Sequence, residues 1–254
     1  MGVEPSEYGQ VWRFFILALV PKGSLLMIEM QDVWKEYRNG TKAINGISVK
    51  IDQGEFVYVV GPSGAGKSTF IKLMYREERP TRGHIFVNGF NIGRLKDRKV
   101  PLLRRNIGVV FQDFKLLPKL TAYENVAFAL EVINTPRRVI RKRVMDVLDW
   151  VGLADKAHML PSQLSGGEQQ RVAIARAIAN NPSVIIADEP TGNLDPDTSW
   201  GIMKLFQRIN DRGTTIVMAT HNKEIVNTMR KRVIAIERGV IVRDEPKGLY
   251  GYED

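Results

Sequence analysis

The chain of 254 residues has no cysteine. Without cysteine it forms neither disulfide bonds nor thiolate metal sites, which fits a reducing compartment. Long apolar runs are also missing. The longest covers residues 14–20, whereas a helix that crosses a bilayer needs about 20 apolar residues. With 44% hydrophobic and 26% charged residues, the composition is that of a soluble globular protein large enough to bury its own core.

Acidic residues are also fewer than basic ones. The chain has 28 Asp and Glu and 37 Lys and Arg, which gives a net charge of +9. Such a surplus favours anionic partners, namely nucleotides, nucleic acid or an anionic membrane surface, with a merely solubilising surface as the alternative. The predicted helix 136–151 carries several of these basic residues. They form either a solvated face or a contact with anionic lipid or an acidic partner.

Residues 1–26 share no pattern with the rest of the chain, and Met27 opens the first strand-like segment. We therefore expect 1–26 to be an N-terminal extension outside the fold, with Met27 as the natural start. A short amphipathic membrane tether is the alternative for this stretch.

Short apolar segments alternate with helical patterns along 27–254, which favours one α/β domain with a parallel sheet. Segment 56–60 is apolar throughout, as expected of a strand covered on both faces. The range 103–165 is mostly helical in pattern and predicts a helical subdomain. Strands are also predicted at 27–37, over 47–61 with Gly54 as punctuation, and at 84–87, 107–111, 184–188, 215–219 and 233–237. The helices are predicted after residue 69 and near 122–132, 136–151, 168–180, 198–211 and 223–230.

The stretch GPSGAGKST at 61–69 follows a predicted strand and precedes a helical pattern. Its glycines let backbone N–H groups turn inward around phosphate oxygens, and the next helix points its positive end at the same place. Lys67 is placed to reach the β- and γ-phosphates, and Ser68 to bind Mg²⁺. The pattern predicts nucleotide binding by Gly61, Pro62, Ser63, Gly64, Ala65, Gly66, Lys67, Ser68 and Thr69.

The stretch VIIADE at 184–189 brings two carboxylates to the carboxyl end of a predicted strand, where α/β proteins bind ligands. Asp188 is placed to hold Mg²⁺ through water. Glu189 is placed as a general base on a water that attacks the γ-phosphate. The alternative is that both carboxylates only cap the following loop.

The stretch LSGGEQQ at 164–170 opens a helix with a small apolar packing face. Ser165 is a favoured N-cap residue, and Glu168 stands three positions later, as in a capping box. A well-capped helix is one interpretation. However, Gly166 and Gly167 leave N–H groups uncovered at the helix N-terminus, which makes a second anion site. Because 61–69 already binds phosphate, we expect this second site to serve the nucleotide of another copy of the chain.

Six motifs, taken in order, resemble those of ABC-transporter nucleotide-binding domains over about 27–245. They are GPSGAGKST, VVFQDFKLLP, LSGGEQQR, VIIADEP, GNLDP and ATHN. The resemblance implies the P-loop NTPase fold of ABC ATPases, with a RecA-like, mostly parallel sheet core, an antiparallel β subdomain and a helical subdomain. It also implies an ATP hydrolase that uses ATP and Mg²⁺ and forms a homodimer with ATP bound. Two subunits then sandwich two ATP molecules head to tail.

The same resemblance assigns roles to residues outside the phosphate loop. Tyr37 matches the aromatic residue that stacks on adenine, with a core tyrosine as the alternative. Gln112 matches the lid glutamine that approaches Mg²⁺ and relays to a membrane partner. His221 matches the switch histidine that contacts the γ-phosphate. The residues expected to carry catalysis are Lys67, Gln112, Glu189 and His221.

Other positions match contacts made across the dimer. Ser165 and Gly167 match the γ-phosphate contacts to the partner's nucleotide, within a nucleotide-binding segment that includes Gly166 and Glu168. Asp195 matches the loop that links the two sites. The metal site implied by the resemblance comprises Ser68, Gln112 and Asp188.

Longer stretches, such as 101–132 and 187–215, resemble the cell-division ATPases called FtsE, of the Gram-positive type. That resemblance implies a peripheral protein on the cytoplasmic face of the cell membrane, at the division septum. Its partner would be the membrane protein FtsX, through which ATP-driven motion controls a peptidoglycan hydrolase outside the cell. No nucleic acid is expected.

Three other functions stay open at this point. ATPases of lipoprotein release and macrolide export share SGGEQQRVAIARA and ADEPTGNLD with this chain. A soluble ABC protein acting on nucleic acid or the ribosome is less compatible, because 98 residues separate Lys67 from Ser165 and leave no room for a long coiled-coil insertion. A nucleotide-gated scaffold with negligible turnover is the third, although the presence of Glu189 and His221 favours hydrolysis.

Overall fold

A computed structural model describes residues 26–251. The expected extension 1–26 lies outside the described residues except for Leu26, which is the first residue of a strand. The strands are β1 (Leu26–Glu36), β2 (Lys42–Asp52), β3 (Phe56–Val60), β4 (Arg82–Val87), β5 (Phe90–Asn91), β6 (Ile107–Phe111), β7 (Val184–Asp188), β8 (Thr215–Ala219), β9 (Arg232–Glu237) and β10 (Val240–Glu245). The α-helices are α1 (Lys67–Met74), α2 (Val100–Arg104), α3 (Ala122–Glu131), α4 (Arg137–Trp150), α5 (Gly166–Ile178), α6 (Pro196–Asn210) and α7 (Lys223–Met229).

The strands form two sheets. The larger has the order β10-β9-β3-β8-β7-β6, in which the ladders from β9 to β6 are parallel and β10 is antiparallel to β9. The smaller has the order β2-β1-β4-β5 and is antiparallel. This confirms the predicted fold class, a mostly parallel core with an antiparallel β subdomain.

The larger sheet is covered on both faces, and the alternation of side chains along β3 shows how. Phe56, Tyr58 and Val60 pack into one apolar cluster with the helices α3 to α7. Val57 and Val59 pack into the other cluster with α1 and the antiparallel sheet. Every residue of β3 is therefore buried, as the uniformly apolar sequence predicted.

The range 103–165 holds α3, α4 and two short 3₁₀ helices at 154–156 and 161–163, but it also holds β6, which pairs with β7 in the larger sheet. The fully buried Asn125 of α3 fixes the loop that follows β6. Its amide accepts from the backbone N–H of Leu117 at 2.8 Å and donates to the C=O groups of Leu117, Leu120 and Thr121. The helical part of this range thus begins after the strand, and this amide holds the loop at 117–121 against the start of α3.

The sequence missed three elements, namely α2, β5 and β10, and placed the start of β2 five residues too late. β10 returns beside β9 through the two-residue loop Arg238–Gly239, whose φ angles of 49° and 80° suit a tight hairpin. The helix α2 has a single buried residue, Leu103. Its apolar pattern is therefore too short to be recognised.

Close packing between α5 and β6 generates a prediction about stability. A Cβ at Gly108 would lie 2.7 Å from the carbonyl oxygen of Ala177, so Gly108→Ala must push α5 away from the sheet. We expect the free energy of unfolding to fall by about 1–3 kcal/mol, measured by denaturant titration. The matched control is Gly93→Ala, because a Cβ there meets its nearest atoms at 3.7 Å. Equal stability of the two variants would contradict this packing.

Candidate functional site

Four of the predicted motifs follow neighbouring strands of the larger sheet. Their order across the sheet is β3, β8, β7, β6, and all three ladders between them are parallel. The register aligns Val59, the next-to-last residue of β3, with the last residues of the other three strands, namely Ala219, Asp188 and Phe111. The segments that continue from these ends contain the phosphate loop, His221, Glu189 and Gln112. Parallel pairing alone therefore gathers these groups at one edge of the sheet.

The backbone of the phosphate loop is shaped by glycine. Gly61 and Gly66 have φ angles of 144° and 109°. A Cβ at Gly61 would lie 2.1 Å from the carbonyl oxygen of Ile236, and a Cβ at Gly66 would lie 2.4 Å from that of Ala43. Of the N–H groups of residues 63–66, only that of Ala65 donates to a group in the described chain, the C=O of Pro62 at 3.2 Å. The other N–H groups are available to an anion.

Two side chains flank this loop. The ammonium of Lys67 donates to the carbonyl oxygens of Gly61 and Pro62 at 2.8 and 3.0 Å, so it lies across the mouth of the loop. The hydroxyl of Tyr37, directly after β1, lies 3.1 Å from Oγ1 of Thr69. The structure thus places Tyr37 beside the first turn of α1 and not in the core. An adenine stacked on the Tyr37 ring would lie next to phosphates bound in the loop.

The residues predicted to hold Mg²⁺ fit that ion by their chemistry. Burial raises the pKa of Asp188 above its usual range, the charge of Glu189 adds to the effect, and Lys72 and Lys67 of α1 oppose it. β7, which ends at Asp188, also lies in contact with α1. Together with the Ser68 hydroxyl and the Gln112 amide, it offers hard oxygen donors of the kind that Mg²⁺ shares with nucleotide phosphates and water.

Glu189 and His221 are in direct contact, Oε2 with Nδ1. The Glu189 backbone has a φ of 51°, and its N–H donates to the C=O of Ala219 at 3.0 Å. A non-glycine residue in this region signals a backbone held in place by its surroundings. The pair borders a pocket of about 290 Å³. The other residues of its lining are Thr191, Gly192, Leu194, Thr220 and Asn222. A carboxylate oriented by an imidazole beside an open pocket has the geometry of a general base.

Gln112 is held by a reciprocal pair of hydrogen bonds. Its side-chain Nε2 donates to Oδ1 of Asn193 at 3.1 Å, and Nδ2 of Asn193 donates to the backbone C=O of Gln112 at 3.1 Å. The loops after β6 and β7 are therefore joined directly above the edge that carries Asp188. In the register of these strands Phe111, which precedes Gln112, is paired with Asp188.

The predicted capping box at the start of α5 is present. Oγ of Ser165 accepts from the N–H of Glu168 at 3.3 Å, and Oε2 of Glu168 accepts from the N–H of Ser165 at 2.9 Å. A Cβ at Gly167 would lie 2.4 Å from Cγ2 of Thr198. In turn, Asp195 caps α6 by accepting from the N–H of Thr198 at 2.9 Å. The N-termini of α5 and α6 thus lie together.

The predicted site residues therefore form two groups in one chain. One group comprises the phosphate loop, Tyr37, Gln112, Asp188, Glu189 and His221, and the other comprises 165–168 and Asp195. Within residues 26–251, no hydrogen bond or ion pair joins 165–168 to 61–69. The segment 189–195 belongs to both groups, since it starts at Glu189 and ends at Asp195.

Sequence reasoning missed Asn193 and Gln170, although both lie inside motifs that it quoted. Asn193 holds Gln112, and Gln170 is fully buried. The sequence does contain a pattern that indicates burial of Gln170. Ala173 and Ile174 follow it by three and four residues and are also fully buried, so helical periodicity places its amide on the apolar face of α5.

Comparisons with known proteins agree with this arrangement. The family model described as ABC transporter matches residues 44–192. The cell division ATP-binding protein FtsE of Bacillus subtilis is 69% identical over 228 residues, which cover 90% of this chain and 100% of that protein. FtsE of Mycobacterium tuberculosis is 54% identical over 229 residues, which cover 90% and 100%. A solved ATP-binding cassette, described as a dimeric post-hydrolysis state bound to ADP and Pi, is 38% identical with a TM-score of 0.78 and covers 89% of this chain and 100% of its own.

The chain therefore belongs to the ABC transporter ATPase family and, within it, to the FtsE cell division ATP-binding proteins. The protein is an ATP hydrolase of the ABC type. The comparisons do not favour the lipoprotein-release or macrolide-export alternative, since even the relative from Escherichia coli, 48% identical over 213 residues, is an FtsE. In the part of the chain from 26 to 251, no helix is long and apolar enough to cross a membrane.

The raised pKa of Asp188 generates a prediction about pH. A carboxyl group whose pKa is raised by folding destabilises the folded state increasingly as the pH rises through its titration range. We therefore expect Asp188→Asn to raise the Tm of the nucleotide-free protein at about pH 8, and this gain to shrink as the pH falls toward about 4, where an ordinary aspartate takes up its proton. Calorimetry over a pH series measures both effects.

The control for this prediction is Asp149→Asn, on the exposed side of α4. It should leave the pH dependence of the Tm unchanged. If Asp188→Asn has no higher a Tm than the unmodified protein at about pH 8, the assignment of Asp188 as a buried charge is wrong.

Proposed function

We propose that this chain is the ATP-hydrolysing subunit of the FtsEX cell-division complex, in which two copies close on two ATP molecules and drive the membrane protein FtsX. The observation that carries the proposal is the convergence of the phosphate loop, Asp188 and the Glu189–His221 pair on adjacent parallel strand ends. This convergence supports phosphate binding, metal binding and general-base catalysis at one place.

Nucleotide binding follows from the groups around the loop. The free N–H groups of 63–66 and the start of α1 receive the phosphates, and Lys67 exchanges its carbonyl partners for phosphate oxygens. Tyr37 stacks on the adenine. Ser68, Gln112 and Asp188 would hold Mg²⁺, which would supply positive charge to neutralise the nucleotide phosphates.

Hydrolysis follows from the pocket beside these groups. Glu189 accepts the proton of the attacking water, and His221 holds the Glu189 carboxylate toward the pocket and donates to the γ-phosphate. Because His221 follows β8 and Glu189 follows β7, the two groups keep their alignment through the register of adjacent strands.

Dimerisation completes each site. Ser165 is exposed at the N-terminus of α5 and contacts nothing in the phosphate loop of its own chain. Ser165 and Gly167 are therefore available to bind the γ-phosphate of the nucleotide in the other copy. Asp195 lies beside them. The description of a similar cassette as a dimer supports this arrangement.

The partner and the location follow from the relatives' name. FtsE proteins at 54–69% identity are named for cell division, and we place this chain on the cytoplasmic face of the cell membrane at the septum, bound to FtsX. Closing of the dimer moves FtsX, which in turn controls a peptidoglycan hydrolase. No nucleic acid takes part.

The catalytic assignment predicts a trapped complex. Glu189→Gln removes the proton acceptor but keeps its shape, so we expect ATP to bind and kcat to fall about 100-fold or more, with a stable dimer seen by size-exclusion chromatography in ATP and Mg²⁺. The control is Glu224→Gln, an exposed glutamate in the first turn of α7. Unchanged turnover by Glu189→Gln would remove Glu189 as the base.

The phosphate-loop assignment predicts a loss of affinity. Lys67→Ala deletes the cation nearest the phosphates, and we expect the Kd for ATP to rise at least about tenfold, equivalent to about 1.4 kcal/mol. Isothermal titration calorimetry measures the Kd, with the exposed Lys204→Ala on α6 as the control. An unaltered Kd would contradict the phosphate-loop assignment.

The partner is tested by capture from solubilised membranes. With Glu189→Gln as bait in ATP and Mg²⁺, we expect an FtsX-like protein to co-purify and to be lost with Lys67→Ala, identified by mass spectrometry. Recovery of an exporter or lipoprotein-release permease instead would keep the ATPase mechanism and overturn the division complex. Recovery of ribosomes or nucleic acid without a membrane protein would overturn the proposed partner class.

A further inference from the structure

Gln170 lies on α5, one turn after the glycines that open the helix, and its side chain is fully buried. Nε2 donates to the backbone C=O of Pro190 at 2.6 Å and to that of Phe111 at 3.4 Å. Pro190 directly follows Glu189, and Phe111 directly precedes Gln112. One amide therefore contacts the backbone beside the general base and beside the lid glutamine.

The orientation of this amide is set by its neighbours. Both facing groups are carbonyl oxygens, which only accept hydrogen bonds, so the amide nitrogen must point toward them. The other end, Oε1, is buried with no hydrogen-bond partner among residues 26–251. An unpaired buried oxygen is unfavourable, and an apolar side chain of similar size would avoid that cost. An apolar side chain would, however, leave the buried C=O of Pro190 without its donor. The distinctive property of an amide at this position is thus the link that it makes between the two loops.

The helix that carries Gln170 is rigidly seated. α5 packs on β6 so closely that a Cβ at Gly108 would meet the carbonyl oxygen of Ala177 at 2.7 Å. At its start, the capping box of Ser165 and Glu168 fixes the first turn. A displacement of the first turn is therefore carried to Gln170 with little bending between them.

We propose that Gln170 is a positioning residue that couples the glycine-rich N-terminus of α5 to Glu189 and Gln112 of the same chain. The inference rests on the proposed role of Glu189 as the base. In the closed dimer, the nucleotide of the other copy contacts Ser165 and Gly167, and the shift of α5 reaches the loops after β6 and β7 through this amide. Each catalytic glutamate is then aligned only when the partner's nucleotide is present.

The test replaces Gln170 with an apolar side chain of similar size in the full-length protein. For Gln170→Met we expect the Kd for ATP to stay within about twofold, because the phosphate loop is untouched. The kcat of the ATPase with its membrane partner should fall at least about tenfold with little change in KM, and the Hill coefficient for ATP should fall toward 1. Hydrogen exchange at 111–117 and 189–194 should become faster even without turnover.

A matched control exists in the turn that follows the C-terminal end of the same helix. Asn180 donates to the C=O of Ala129 at 3.1 Å and also has a buried oxygen without a partner among the described residues. Asn180→Leu therefore removes a comparable amide that touches neither loop of the site. It should lower the Tm to a similar degree as Gln170→Met while leaving kcat, the Hill coefficient and exchange at 189–194 unchanged.

A second variant tests the donated hydrogen bond itself. In Gln170→Glu, the carboxylate repels both carbonyls, whereas its protonated form donates one hydrogen bond, and burial favours the protonated form. We expect its kcat relative to the unmodified protein to rise as the pH is lowered from about 8.5 to about 6, a trend absent from Gln170→Met.

Two results would overturn the proposal. One is an unchanged kcat and unchanged exchange at 189–194 in Gln170→Met, and the other is an equal loss of kcat in Asn180→Leu. The Glu189→Gln variant distinguishes failure of the proposed coupling from failure of the proposed function. If Glu189→Gln loses turnover and Gln170→Met does not, only the coupling is wrong, whereas undiminished turnover in Glu189→Gln removes the base on which both depend.

Discussion

The parallel register of β3, β8, β7 and β6 is the constraint on which the rest of the structure depends. Hydrogen bonding between neighbouring strands aligns Val59, Ala219, Asp188 and Phe111. The reactive groups are all within two residues of these ends or in the loop that follows. They therefore need no long-range contacts of their own to meet. Apolar cover on both faces keeps the register fixed, because a slip by one residue would exchange the two buried faces.

The β9–β10 hairpin of the larger sheet and β2 of the antiparallel sheet together hold the backbone of the phosphate loop. The N–H of Gly239, in the β9–β10 turn, donates to the C=O of Ala65 at 2.9 Å, and the N–H of Asn45 in β2 donates to the C=O of Gly239 at 2.8 Å. With Ala43 and Ile236 pressed against the loop glycines, these contacts fix the loop before any anion arrives. A preformed ring of N–H groups binds phosphate without the cost of ordering the chain.

Most of the fold and of the site could be predicted from local sequence patterns. Strands 107–111, 184–188 and 215–219 were predicted with the bounds that the structure has. Each is a short, largely apolar run, which is the pattern of a strand covered on both faces. The contacts between motifs were not predictable in this way. The Glu189–His221 pair, the Gln112–Asn193 bonds and the amide of Gln170 join residues 32, 81 and 20 or more positions apart. Only the tertiary arrangement brings such residues together.

The segment 189–195 connects the residue proposed as general base with a residue proposed to lie at the dimer contact. It begins with Glu189, continues through Pro190, which accepts from Gln170, and includes Asn193, which holds Gln112. It ends at Asp195, which caps α6 beside Gly167. With a positive φ at Glu189 and hydrogen bonds along its length, the segment has little freedom to adjust one end alone. In the proposed dimer, a change at Asp195 would therefore reach the Glu189 carboxylate through seven residues of constrained backbone.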